Sequence, residues 1–148
     1  MTNAILIGDT IYSKLMGTTA ITSVIGAKAF PLVAPSGTTF PFVIYTREGI
    51  QPSTRTKDGW VGDGTVFRID VVAASYAEGV HLANEIRKIF EVRYLTEDGL
   101  LLYETYLSNI NESWDTDCYI QQLRFTTVVF DAPEQEPQSN DNQNVMGN

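Results

Sequence analysis

The sequence predicts an α+β fold: a mainly antiparallel sheet of four to five strands, with helices packed on one face. Three observations predict it. Residues 64–90, GTVFRIDVVAASYAEGVHLANEIRKIF, read as a strand running directly into a helix. Two later runs, residues 100–110 and 119–130, have strand character and follow a tight-turn dipeptide. Residues 3–16 and 19–25 show helical spacing ahead of the first long strand. Helices and strands segregated in this way fit an α+β layer arrangement.

In chain order, Asn3 is placed to cap the first helix, and Ala4, Ile7, Ile11 and Leu15 follow at helical spacing up to a stop at Gly17. A second helix over 19–25 is marked by a threonine cap and Gly26. Pro31, Pro35, Ser36 and Gly37 then enforce an irregular approach to a strand over 42–48. Pro41 stands just ahead of that strand, where a missing N–H does little harm. Residues 51–64, QPSTRTKDGWVGDG, form a long polar connection. Loops of that length are usually functional or disordered. Arg55, Lys57 and Trp60 make it a candidate contact patch, because Arg and Trp are favoured interface anchors. The competing reading is a solvated hairpin tip with one aromatic folded back on the body.

The central strand places Phe67, Ile69, Val71 and Ala73 on one face. Ser75 and Glu78 have capping-box spacing, and Gly79, Leu82, Ala83, Ile86, Ile89 and Phe90 form one apolar stripe. Burying its large side chains contributes on the order of 1.5–3 kcal/mol each. This is the best-specified part of the chain. An extended segment starts within 91–95, Asp98-Gly99 predicts a tight turn, and the polar NESWDTDC (residues 111–118) reads as a loop between the last two strands. In the final strand Leu123, Phe125, Thr127 and Val129 share a face. Residues 1–131 are expected to form one domain, and 132–148 an acidic, polar, disordered tail.

Composition narrows the function classes. No apolar run approaches the roughly 20 residues of a membrane span, and the N-terminus, with Asp9 inside its apolar part, reads as a mature helix rather than a signal peptide. A lone cysteine, Cys118, excludes an internal disulfide and fits a reducing compartment. The net charge of −8 argues against binding a phosphate backbone. About half of that excess lies in Asp131, Glu134, Glu136 and Asp141, with no Lys or Arg among them.

No catalytic constellation emerges, and no cofactor is expected. His81, the only histidine, sits on the helix side away from the apolar stripe, one turn from Glu85. A surface histidine is the plainer reading than a general base. Cys118 has no histidine near it in sequence. Glu112, Asp115 and Asp117 lack the ordered spacing of a calcium loop, and Gly62-Asp63-Gly64 lacks the rest of a phosphate loop. An enzyme is not expected, nor a metal site. Arg68 and Asp70 are more informative. They lie two apart on the strand face opposite Phe67, flanked by Val66 and Val72, with Arg47 expected close by on the preceding strand. Cross-strand charge pairing on a solvated face is one reading, and contact with another subunit is the other.

The N-terminal helix, the segment GAKAFPLVAPSGTTFPFVIYTREG, the strand FRIDVVAAS and the helix YAEGVHLANEIRKIF together resemble the tail-completion, or tail terminator, proteins of long-tailed phages and prophages. The resemblance covers residues 3–130. It implies a structural virion protein assembled in the bacterial host cytoplasm. Such a subunit forms a ring, typically a hexamer, on the last ring of tail-tube protein, stops tube growth and meets the head–tail connector. DNA passes through the ring without specific binding, and no membrane is involved. Arg47, Arg55, Lys57, Trp60, Arg68 and Asp70 become the candidate subunit or tube contacts. Another neck or head-closure protein, or a cellular small-molecule or peptide-binding domain, remains the alternative at this point.

Overall fold

A computed structural model describes residues 2–52 and 62–132. Helix α1 (Ile7–Met16) follows a single 3-10 turn (Ala4–Leu6) and is succeeded by α2 (Thr19–Ile25). Strands β1 (Ala29–Pro31), β2 (Phe42–Gln51) and β3 (Asp63–Ala73) lead into α3 (Tyr76–Phe90). Strands β4 (Tyr94–Glu97), β5 (Leu100–Asp115) and β6 (Cys118–Asp131) complete the chain. Among the described residues the sheet has six strands in the order β1-β2-β3-β6-β5-β4, not the four or five expected. The added strand is β1, three residues paired in parallel with Val43–Tyr45; every other pairing is antiparallel.

The three helices lie on the Phe67 side of the sheet. Phe67, Phe90 and Phe125 are fully buried there and form a triangle, with ring centroids 5.2 to 5.8 Å apart. Ile7, Ile11 and Leu15 bury the inner face of α1 at the predicted spacing. Because α1 packs against β1 and β2 and also reaches β4, the sheet curls around it. Ser13 Oγ donates to Glu97 Oε2 at 2.8 Å across that gap. Leucine, phenylalanine and threonine of β6 alternate inward as the sequence indicated.

Two local expectations are corrected. Asn3 does not cap with its side chain; its backbone N–H donates to Asp131 Oδ1 at 2.7 Å, tying the N-terminus to the end of β6. Residues 111–118 are not a loop: β5 runs to Asp115, β6 starts at Cys118, and only Thr116 and Asp117 turn. A polar sequence still pairs as a strand when its backbone is held by the neighbouring β6 and neither face is buried. Elsewhere local signals are realised directly. Ser75 Oγ accepts from Glu78 N at 3.2 Å, and Asp98 and Gly99 take φ values of 51° and 83°. Both values are left-handed, as the favoured two-residue hairpin turn requires.

Candidate functional site

The sheet face opposite the helices carries a chain of four alternating charges. Arg68 on β3 grips Asp70 bidentately, with Nε to Oδ1 at 2.8 Å and Nη2 to Oδ2 at 3.2 Å. Its Nη1 donates to Glu48 Oε2 at 2.9 Å. Glu48 in turn accepts from Arg124 on β6, through Nε to Oε1 and through Nη2 to Oε2 at 3.0 Å. The side chains keep 11% to 35% of their surface exposed, so the network is half-buried on a face that no helix or strand covers among the described residues. The hydrogen bond from Arg124 is the main reason that the Glu48 carboxyl is held below the usual carboxylate range, with Arg68 acting in the same sense. Arg68 is held above its ordinary value, chiefly by its bond to Asp70.

Register explains why these four meet. Arg68 stands directly opposite Arg124, so two like charges face each other across neighbouring strands. A bulge between Arg47 and Gly49 brings Glu48 to bridge them. The same face carries the aromatic side chains of Phe30, Phe40 and Phe42, with Phe40 and Phe42 stacked at 5.9 Å. Val66 and Val72 flank the charges as expected, half-buried and buried respectively. The face is therefore neutral in sum, self-satisfied in its hydrogen bonds and apolar at its margin. It can present a fixed pattern to a protein surface; it holds no reactive group.

Arg47 is not part of this cluster. It pairs in register with Phe67 and so projects to the helix side, where Nη1 donates to the carbonyl of Ile5 at 2.6 Å. Arg55, Lys57 and Trp60 lie outside the described residues. Sequence reasoning missed Glu48 and Arg124. Arg124 was readable, since it alternates away from Leu123 and Phe125 on a strand that pairs with β3. Glu48 was not, because only the bulge brings it to the two arginines.

The remaining candidates stay dispersed. His81 is exposed on α3, and Glu85 pairs with Lys88 at 2.9 Å. The Cys118 thiol donates to the carbonyl of Asp115 at 3.3 Å; burial, then the neighbouring acids, push its pKa up, the opposite of an activated nucleophile. Glu112 accepts from Tyr76 and Gln121, at 2.9 and 3.1 Å. Among the described residues no three His, Cys, Asp or Glu side chains gather to hold a metal ion, and no helix is long and apolar enough to cross a membrane.

Comparison with known proteins locates this architecture. A chain of the virion of a native gene transfer agent particle superposes with a TM-score of 0.62 at 18% identity, over 82% of this chain and 92% of the other. A second solved structure superposes at 0.60 and 16% identity, over 90% of this chain and all of its own. At these identities the likeness concerns the fold. No curated protein matches the sequence. Residues 9–131, nearly the whole described chain, match the family described as tail completion protein gp17. The chain belongs to that tail completion family and is a structural component of a phage virion, not an enzyme.

Proposed function

We propose that the protein is a tail terminator: it assembles as a ring, a hexamer, on the last ring of tail-tube subunits, ends their polymerisation and joins the tube to the head–tail connector. Membership of the tail completion family over residues 9–131 carries this reading. It favours the tail over a cellular small-molecule or peptide-binding domain, and tube completion over head closure. The mechanism is steric and associative. The sheet face opposite the helices, with Arg68 and Asp70 joined by Glu48 and Arg124, offers a rigid contact surface whose charges need no partner to be neutralised. Arg47 contributes at the sheet edge, and Arg55, Lys57 and Trp60 contribute from the connection between β2 and β3.

The ring passes DNA without binding it. A chain with a net charge of −8 repels phosphate at distances up to about 8 Å, the Debye length at physiological ionic strength. Assembly takes place in the host cytoplasm before the tail meets the head. The test is tube growth in vitro: purified tail-tube protein is polymerised with and without this protein, and tube lengths are measured by electron microscopy. Shortened, uniformly ended tubes are expected. Tubes of unchanged length at saturating protein contradict the proposal.

A further inference from the structure

The two edges of the curled sheet differ in charge and share exposed apolar side chains. At the level of Tyr45 the paired residues run Pro31, Tyr45, Ile69, Leu123, Ile110 from one side to the other. One edge at that level is β1. The other is the distal half of β5, because β4 pairs only with Leu100–Tyr103.

At the β1 edge, Ile5, Leu32 and Val33 are 68%, 72% and 72% exposed. Ile5, Leu32, Tyr45 and Arg47 line a shallow pocket of about 200 Å³ there. Residues 27–47 contain Lys28 and Arg47 and no Asp or Glu. This edge is closed to strand addition. The N–H of Ala29 donates to Ala27 at 2.9 Å, the carbonyl of Pro31 accepts from Val33 at 2.7 Å, and Pro31 has no N–H to offer. Contact at this edge must come through side chains. At the β5 edge, Trp114 and Ile110 are 59% and 45% exposed. Residues 105–123 contain Glu112, Asp115 and Asp117 and no Lys, Arg or His.

We infer that these two edges are the complementary halves of one contact between copies of this chain. The β5 edge of one copy, led by Trp114 and Ile110, seats on the β1-edge pocket of the next, with Asp115 and Asp117 facing Lys28 and Arg47. Charge complementarity selects a second copy as the occupant: Lys28 and Arg47 outnumber Asp9, the acid near Tyr45, at one edge, and Glu112, Asp115 and Asp117 outnumber Arg87, the cation beside Ile110, at the other. An indole against a pocket rimmed by an arginine also allows a cation–π contact. Because the two halves lie at opposite edges of one subunit, the contact is head to tail and propagates into a ring or filament. The inference rests on the ring reading above and names its surfaces.

The test uses the full chain and two charge reversals, Lys28→Glu with Arg47→Glu, and Asp115→Lys with Asp117→Lys, followed by sedimentation at low salt. Wild type is expected to associate. Each reversed protein has two like-charged edges and should stay monomeric, whereas an equimolar mixture should assemble, since each edge again meets its opposite. Reversed proteins that assemble alone like wild type overturn the inference, as does a mixture that stays monomeric while both proteins are folded by circular dichroism. If a reversal fails to fold, Val33→Asp and Trp114→Ser, both at exposed side chains, replace it; each should abolish association, and wild-type association by either overturns the inference. Wild type that remains monomeric up to about 1 mM overturns the edge contact too. Tube capping would then still be judged separately, by the growth assay.

Discussion

Glu48 is the keystone of the charged sheet face, and replacing it with glutamine tests that face directly. Glu48→Gln keeps the shape but removes the negative charge between Arg68 and Arg124, which stand opposite each other in register. The side chains of Arg68, Glu48 and Arg124 are 27%, 22% and 35% exposed, so solvent screens the network. Ion pairs in such settings are worth about 0.2–1 kcal/mol each. Two are lost, and the two arginines facing each other across neighbouring strands add a few tenths, with Arg68 still held by Asp70. The expected destabilisation is therefore about 0.7–2.3 kcal/mol at pH 7, or roughly 2–9 °C in Tm for a domain of this size.

The pH dependence fixes the sign. The folded Glu48 carboxyl titrates below its unfolded value, which is about 4.3 for a free glutamate. Its contribution is thus fully present above that value and lost as pH falls through the folded pKa. Urea unfolding of wild type and variant at pH 7 and pH 2.5 measures both quantities. The gap between the proteins should close in acid. A gap under about 0.3 kcal/mol at pH 7, or one that persists undiminished at pH 2.5, would refute the electrostatic account of this face.

Two further predictions concern the scaffold. Phe125→Ala removes one corner of the aromatic triangle with Phe67 and Phe90, and should cost about 3–5 kcal/mol in urea unfolding; a loss below about 1.5 would mean that the three rings do not form the core described. Ser75→Ala removes the oxygen that accepts from Glu78 N and should cost about 1 kcal/mol, while Ser75→Asp should retain most of the wild-type stability. Equal losses in the two Ser75 variants would show that the cap is not the source of the effect.

Most of the fold was legible where a local pattern coincided with burial on one side. The strand and helix over 64–90 carried period-two and helical apolar spacing, and both appear with the expected inward residues. The last strand was legible for the same reason, since Leu123, Phe125, Thr127 and Val129 all turn to the core. The distal part of β5 was not. From Asn109 to Asp115 its side chains are exposed on both faces, so no alternation marks it, and backbone pairing with β6 alone makes it a strand. Strand β1 is only three residues long and is held in place by its pairing with β2.

The candidate site shows the same division. Arg68 and Asp70 could be assigned to the outer face by counting along one strand. The placing of Arg47 failed because it assumed that opposite strands bring their arginines to the same face. The register sets Arg47 opposite Phe67, and the bulge after it delivers Glu48 in its place. A bulge is a single extra residue with no signature in apolar spacing, yet it decides which charge reaches the network.

On the proposed function, this chain closes the end of a growing tail tube as a ring. Electron-microscopic averaging of tube ends, from tubes incubated with purified protein, tests it most directly. A ring of density is expected on one end of each tube, and none on tubes incubated without the protein. Bare tube ends at saturating protein, or density bound along the tube wall instead of at its end, would contradict it.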